Sequence, residues 1–229
     1  MVKKMKKTLA VSIMTANQLE LKNEIDSLKK AGINWLHCDV MDGVFVDNLA
    51  MGPYLIEQLK KDKTLILDVH LATVSPEKYI KMFGKLQPDY ITFHIETTDN
   101  PEKIIHLIKS FGIKVGVAIS PETSFDAIIP ILNQIDLILV MTVNPGFAGQ
   151  KFNFSVLDKL RQITNHFQNN SKRPIIQVDG NINAQTLELM KNFYVDLFVL
   201  GTSALYNNSS TTNEEKISKL KNILNNWEV

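Results

Sequence analysis

The sequence lacks several features that would place it in a specialised class of protein. Its 229 residues include one cysteine, Cys38, which excludes an internal disulfide framework and suits a reducing compartment. No apolar run approaches the roughly 20 residues that span a bilayer. The 25 basic and 24 acidic residues leave a net charge of +1, which argues against a nucleic-acid partner. These absences predict a soluble cytoplasmic protein with neither a membrane nor a nucleic-acid partner.

What the chain does contain is a repeated alternation of two patterns. Short apolar runs are separated by stretches with the three-to-four-residue apolar spacing of amphipathic helices. The runs predicted as buried strands are residues 9–14, 35–40, 65–71, 90–96, 115–120, 137–143, 175–180 and 197–202. Eight strand–helix units favour a single (β/α)8 TIM barrel over residues 1–229, in the α/β class. A doubly wound open sheet is the alternative.

Polar side chains are concentrated at the carboxyl ends of these predicted strands, where barrel enzymes build their active sites. Because side chains alternate along a strand, His37 and Asp39 share one face while Cys38 points the other way, into the core. Burying such Asp and His side chains is costly without a partner, and a divalent cation would remove that cost. The candidate ligands of one zinc, iron, manganese or cobalt ion are His37, Asp39, His70 and Asp179. Hydrogen-bonded structural residues are the alternative interpretation.

A second group of residues lies in glycine-bearing turns after the last three predicted strands. The turns cover residues 144–150, 179–181 and 201–203, on the same rim of the predicted barrel. Glycine lets main-chain N–H groups approach an anion closely, and barrels often bind phosphate after strands seven and eight. The turns therefore predict a phosphate site, with ordinary left-handed turns as the alternative.

Several segments of the chain resemble the ribulose-phosphate 3-epimerase family, in the same order and with one motif per strand. They are SIM (12–14), HCDVMDGVFVDN (37–48), GP (52–53), DVHL (68–71), ITFH (91–94), VMTVNPGFAGQ (140–150) and VDG (178–180). The match runs from about residue 8 to residue 206. The resemblance implies an isomerase that epimerises a phosphorylated ketose at C3, converting D-ribulose 5-phosphate to D-xylulose 5-phosphate in the pentose phosphate pathway.

The resemblance also implies roles for individual residues. One divalent metal ion would be held by His37, Asp39, His70 and Asp179. Asp39 and Asp179 would be the catalytic acid/base pair, moving the C3 proton through a metal-stabilised enediolate. The substrate would be bound by Ser12, Met14, Met41, His70, Met141 and Asp179, and its phosphate by turns containing Gly146, Phe147, Ala148, Gly149, Gly180, Asn181, Gly201, Thr202 and Ser203. The expected partners are a small phosphorylated ketose and further copies of the chain in a homo-oligomer.

The chain departs from the family pattern at several positions. Ala148 and Asn181 stand where glycine is usual, and Ala72 stands where methionine is usual, which is expected to make room for a longer sugar. The GFAG and GTS variants are also similar to the allulose-6-phosphate 3-epimerase branch, so epimerisation of D-allulose 6-phosphate to D-fructose 6-phosphate is the alternative function. Remoter alternatives are a decarboxylase of the orotidine-phosphate type, whose lysine is missing here, and a non-catalytic phosphosugar-binding barrel.

Four further polar residues have open interpretations. His94 and Glu96 either orient the metal ligands or form a satisfied polar layer within the barrel. Asp42 either lines the site or caps the turn that follows it. Asp68, two residues before His70, is expected to support that ligand.

Overall fold

The computed structural model describes residues 7–170, 172–207 and 209–227, so the remainder of the predicted span 1–229 lies outside the described residues. Within the described residues the strands are β1 (Thr8–Ser12), β2 (Trp35–Met41), β3 (Ile66–Ala72), β4 (Tyr90–His94), β5 (Lys114–Ile119), β6 (Leu137–Met141), β7 (Ile175–Asp179) and β8 (Leu197–Leu200). They pair in chain order, all parallel, and β8 returns to β1. This closure confirms the predicted TIM barrel and excludes the open sheet.

Each strand is followed by a crossover segment that packs against the barrel. In the described part of the chain the α-helices are α1 (Leu21–Lys30), α2 (Pro53–Leu59), α3 (Pro76–Phe83), α4 (Pro101–Ser110), α5 (Val156–Phe167), α6 (Ala184–Met190) and α7 (Asn213–Asn225). The fifth crossover, Phe125–Gln134, is a 3₁₀ helix instead. Pro130 lies inside it and has no N–H to donate to an α-helical hydrogen bond. Among the described residues, no helix has the length and apolar character that crossing a membrane requires.

Apolar side chains on the two faces of the strands form separate cores. The larger core lies between the strands and the helices and includes Cys38, which is fully buried as predicted. A smaller apolar group fills the inside of the barrel, where Trp35 stacks on Tyr90 with ring centroids 5.1 Å apart. The alternation along β2 leaves His37 and Asp39 on the inner face, at the carboxyl-terminal mouth.

Strand β4 ends earlier than its apolar run indicates. The sequence predicts a strand over residues 90–96, but β4 ends at His94, and Ile95–Thr97 forms a 3₁₀ turn. The turn brings the Glu96 carboxylate back to His94, with Oε2 3.0 Å from Nδ1. Two residues of extended strand would carry that side chain about 7 Å farther along the barrel.

Candidate functional site

Side chains from β2, β3 and β7 converge at the carboxyl-terminal mouth of the barrel. One cluster there consists of His37, Asp39, His70 and Asp179. Each residue offers one ligand atom, and these atoms lie within 4.8 Å of one another. His70 Nδ1 lies 3.0 Å from Asp39 Oδ1 and 3.2 Å from His37 Nε2. His37 Nε2 lies 3.8 Å from Asp179 Oδ2. The structure thus brings together all four residues that the sequence predicts as metal ligands.

The atoms of this cluster suit one divalent cation. Nδ1 of His70 and Nε2 of His37 face each other, and two imidazole lone pairs at that separation repel unless a proton or a cation lies between them. Ligand bonds of about 2.0–2.2 Å place neighbouring donors of a tetrahedral zinc ion about 3.3–3.6 Å apart. The mixed imidazole and carboxylate donors also suit iron, manganese and cobalt. The cluster is therefore able to hold a metal ion of the predicted kind.

The two carboxyl groups of the cluster differ in how readily they ionise. Burial raises the pKa of Asp179 to about 7 against the opposing charge of His37, and the charge of Asp39 adds to the rise. Burial also disfavours ionisation of Asp39, but charge and hydrogen bonding from His37 and His70 hold its pKa well below the usual range. Near neutral pH Asp39 is ionised while Asp179 retains a proton for part of the time.

His37 is held from behind by a fully buried carboxylate. Its Nδ1 donates to Asp68 at 2.9 Å, which leaves Nε2 facing the cluster. Thr92 and Gln177 also donate to Asp68, at 2.8 and 2.9 Å. The expectation that Asp68 supports His70 is wrong, because the register of β2 on β3 places Asp68 opposite His37. Gln177 was not identified from the sequence; its signal is a polar residue inside an apolar strand.

His70 makes a second contact on the ring edge that faces away from the cluster. Its Nε2 lies 2.9 Å from Nε2 of His94. Burial lowers the pKa of His94, which keeps that imidazole neutral. Burial works to raise the pKa of Glu96, but hydrogen bonds from His94 and Thr123 outweigh it and lower the pKa to about 2. A neutral imidazole and an ionised carboxylate therefore lie directly behind one candidate ligand.

A cavity of about 300 Å³ lies at the same mouth of the barrel. Its wall includes every residue to which the resemblance assigns a substrate contact: Ser12, Met14, Met41, His70, Met141, Gly146, Phe147, Ala148, Gly149, Asp179, Gly180, Asn181, Gly201, Thr202 and Ser203. Thr15 and Asn207 also line it, although the sequence did not single them out. They lie in loops without a periodic pattern, so only the fold brings them to the cavity. That these residues bind substrate stays a prediction.

The glycine-bearing turns lie side by side along this cavity. Gly180 has a φ of 119°, and a side chain there would meet the main-chain nitrogen of Val143 at 2.8 Å, so the position requires glycine. Asn181 has a φ of 51°, a left-handed conformation that asparagine tolerates better than most residues. Its side chain donates to the Gln150 carbonyl at 2.8 Å. Asn181 thus replaces the usual glycine and links the turns after β6 and β7.

Ala72 does not contribute to the cavity. It is fully buried and packs in an apolar group with Met41 and Val46, and it is absent from the cavity wall. Phe45, from the loop after β2, packs against the same group. Ala72 therefore offers a bound sugar no additional room in this structure.

Asp42 caps the turn that follows it and does not line the cavity. Its Oδ1 accepts the N–H groups of Val44 and Phe45, each at 2.9 Å. Its Oδ2 accepts the N–H of Val74 at 2.8 Å, which ties the loop after β2 to the loop after β3. Of the two interpretations left open by the sequence, the capping role is the one this geometry supports.

Comparison with known proteins identifies relatives of the whole chain. It is 41% identical over 221 residues to the ribulose-phosphate 3-epimerase of Buchnera aphidicola subsp. Baizongia pistaciae, covering 95% of this chain and 96% of that one. It is 40% identical over 202 residues to the Bacillus subtilis ribulose-phosphate 3-epimerase, covering 88% and 93%. The solved 3-keto-L-gulonate-6-phosphate decarboxylase from Vibrio cholerae has a TM-score of 0.73 at 12% identity, covering 97% and 99%, a likeness of fold alone. The model of the ribulose-phosphate 3 epimerase family matches residues 8–206, and the chain belongs to that family.

Proposed function

We propose that the chain is a metal-dependent epimerase that interconverts D-ribulose 5-phosphate and D-xylulose 5-phosphate. The observation that carries this proposal is geometric: Asp39 and Asp179 converge with two histidines in one cluster whose ligand atoms lie within 4.8 Å of one another. Inverting a carbon by proton transfer requires one group that accepts a proton and another that donates one to the opposite face. Two carboxyl groups whose pKa values are pushed apart meet that requirement.

The cation would be held at the four converging side chains. His37 would bind through Nε2 and His70 through Nδ1, because these nitrogens face Asp39 and each other. When bound, a divalent ion supplies Lewis-acid stabilisation of the negative charge that develops on the C2 and C3 oxygens as the C3 proton leaves. Asp68 contributes by holding the His37 proton on Nδ1, so that Nε2 keeps its lone pair for the ion.

The two aspartates of the cluster would move the proton. One carboxylate removes the proton from C3, which the neighbouring C2 carbonyl acidifies, and the other returns a proton to the opposite face of the enediolate. Ser12 Oγ donates to Asp39 Oδ2 at 2.6 Å, which fixes one carboxylate oxygen while Oδ1 faces the cluster. A turnover exchanges the protonation states of Asp39 and Asp179, and the reverse reaction uses them in the opposite order.

The rest of the cavity would bind the substrate and exclude water. Main-chain N–H groups in the turns around Gly146, Gly180 and Gly201 would hold the phosphate, a contact remote from C3 that fixes the orientation of the sugar. Met41 and Met141 add a polarizable wall without exchangeable protons.

We further propose that residues 1–229 form one domain that acts in the cytoplasm as a homo-oligomer, without a nucleic-acid partner. The net charge of +1 supports the absence of a nucleic-acid partner, and the buried, unpaired Cys38 suits the reducing cytoplasm. Leu19 and Tyr54 are 95% and 85% exposed, which supports contact between copies of the chain. Light scattering on the purified protein measures the assembly directly, and a monomeric mass would contradict it.

Proton NMR in D₂O tests the proposed reaction directly. The enzyme is given D-ribulose 5-phosphate and D-allulose 6-phosphate in parallel, with its metal content measured. We expect deuterium at C3 together with the C3 epimer, and faster conversion of the five-carbon sugar. Faster conversion of the six-carbon sugar would assign the allulose branch instead. A metal-loaded enzyme that exchanges neither C3 proton would contradict the proposal.

A further inference from the structure

A line of three side chains runs from the metal cluster to the loop after β5. His70 Nε2 lies 2.9 Å from His94 Nε2, and His94 Nδ1 lies 3.0 Å from Glu96 Oε2. Glu96 Oε1 accepts the main-chain N–H of Ser120 at 2.8 Å and a hydrogen bond from the Thr123 hydroxyl. His94 is fully buried, so water does not compete for its ring nitrogens.

Counting protons assigns one tautomer to each ring in this line. If His70 binds a cation through Nδ1, its only ring proton is on Nε2, and it donates that proton to Nε2 of His94. His94, neutral and accepting at Nε2, must carry its own proton on Nδ1 and donates it to Glu96. A carboxylate is suited to the last position because both of its oxygens accept, one from His94 and one from Ser120.

We propose that Glu96, acting through His94, is a positioning residue that fixes the metal-binding tautomer of His70. The ionised Glu96 carboxylate can only accept, so it sets the polarity of the whole line from its far end, and the main-chain N–H of Ser120 satisfies its other oxygen. This inference rests on the metal site of the proposed function. Both imidazole ligands would then be oriented by a carboxylate. His37 donates to Asp68 directly, and His70 is linked to Glu96 through the imidazole of His94.

The Glu96→Gln variant separates this role from that of a structural polar layer. Because Ser120 N–H only donates, the amide oxygen of Gln must face Ser120, which turns the NH₂ group towards His94 Nδ1. His94 must then carry its proton on Nε2 and donate to His70 Nε2. That contact forces the His70 proton onto Nδ1, the nitrogen that faces the cluster. The nearly isosteric amide therefore opposes metal binding.

The Glu96→Ala variant provides the matched comparison. Removal of the carboxylate leaves space in which water can accept the Nδ1 proton of His94, so the tautomer of His70 is unchanged. A structural polar layer predicts that Ala is more harmful than Gln in every measurement. Fixing of the tautomer predicts that Gln weakens metal binding more than Ala, while Ala lowers the thermal stability of the metal-free protein more than Gln.

The experiment measures zinc affinity by competition with a chromophoric chelator, for the wild type, Glu96→Gln, Glu96→Ala and a His106→Gln control on the exposed face of α4. We expect Glu96→Gln to weaken zinc binding about 10–100-fold, Glu96→Ala to weaken it less, and His106→Gln to leave it unchanged. Zinc affinity of Glu96→Gln equal to that of the wild type, or weaker binding by Ala than by Gln, would overturn the inference. A wild type that does not bind zinc would instead contradict the proposed metal site.

Nitrogen-15 NMR of labelled histidines in the zinc-loaded wild type gives an independent reading. We expect the resonances of His94 to show a protonated Nδ1 and an unprotonated Nε2. The opposite assignment would overturn the inference even if every variant folds and binds zinc as expected.

Discussion

The two ends of the barrel compensate the charge of their carboxylates in opposite ways. At the amino-terminal end, Asp89, Asp136 and Asp196 each precede a strand, and each accepts the main-chain N–H of the second residue of the preceding strand, at 2.8–3.0 Å. Asp196 is also paired with Arg173, with Nη2 2.8 Å from Oδ1. At the carboxyl-terminal end, Asp39 and Asp179 meet two histidines whose ring nitrogens face each other.

This difference teaches how to separate a structural carboxylate from a functional one. The aspartates at the amino-terminal end have donors that are present in the fold itself, so their charge is compensated without a ligand. At the carboxyl-terminal end the ring nitrogens of His37 and His70 face each other beside two carboxylates, and a proton or a cation from outside completes the arrangement. A carboxylate whose donors are all in the protein therefore holds the fold, and one that stands among unfilled metal-ligating atoms is a candidate for chemistry.

The largest expected effect comes from removing charge at the carboxyl-terminal end. Asp39→Asn and Asp179→Asn should each lower kcat by about 10²–10⁴-fold or more, since each removes one of the two groups that move the C3 proton. The NMR assay measures kcat, and denaturant unfolding shows whether the fold is kept. Activity within tenfold of the wild type in either variant would refute the two-acid mechanism.

A substitution at the amino-terminal end should instead lower stability and leave kcat unchanged. Arg173→Met leaves Asp196, which is 5% exposed, without its cation. Breaking one partner of a buried pair costs about 3–5 kcal/mol, so the free energy of unfolding should fall by about that amount while kcat of the folded protein stays unchanged. Urea unfolding and the NMR assay on the same sample check both parts. A large loss of kcat in a folded Arg173→Met protein would break the distinction between the two ends.

A smaller loss of folding stability is expected from protonation of Glu96 as the pH falls. Its folded-state pKa of about 2 lies below the usual value of about 4.3 in unfolded chains. Its stabilising contribution is therefore fully present above that unfolded value and is lost as the pH falls towards about 2, and it amounts to at most about 3 kcal/mol. The measurement is the difference in unfolding free energy between the metal-free wild type and Glu96→Gln from pH 6 downwards. A difference that does not change with pH would argue that the carboxylate is not stabilised by the fold.

What could be predicted from the sequence depends on the range of the interactions involved. The alternation along β2 is local, so the shared face of His37 and Asp39 followed from a two-residue period. The order of eight apolar runs favoured the barrel, because short parallel crossovers restrict the possible topologies, but only the pairing of β8 with β1 excluded an open sheet. The partner of Asp68 depends on the register between two strands, and Gln177 reaches it from β7; neither follows from a period.

The contact between His94 and Glu96, two residues apart, also could not be predicted from the sequence pattern. An apolar run over residues 90–96 reads as a continuous strand, although β4 ends at His94. The chain turns at Ile95, and the Glu96 carboxylate accepts a main-chain N–H from the neighbouring loop. Only the fold supplies that donor, so the sequence left the role of both residues open.

The most direct test of the account is a metal titration that follows activity. The enzyme is stripped of metal with a chelator, its metal content is verified, and Zn²⁺ or Co²⁺ is added back while the epimerisation of D-ribulose 5-phosphate is followed by NMR. We predict that the metal-free protein is folded and inactive, and that activity returns in proportion to bound metal up to one ion per chain. Full activity in the verified metal-free protein would contradict the assignment of His37, Asp39, His70 and Asp179 as a catalytic metal site.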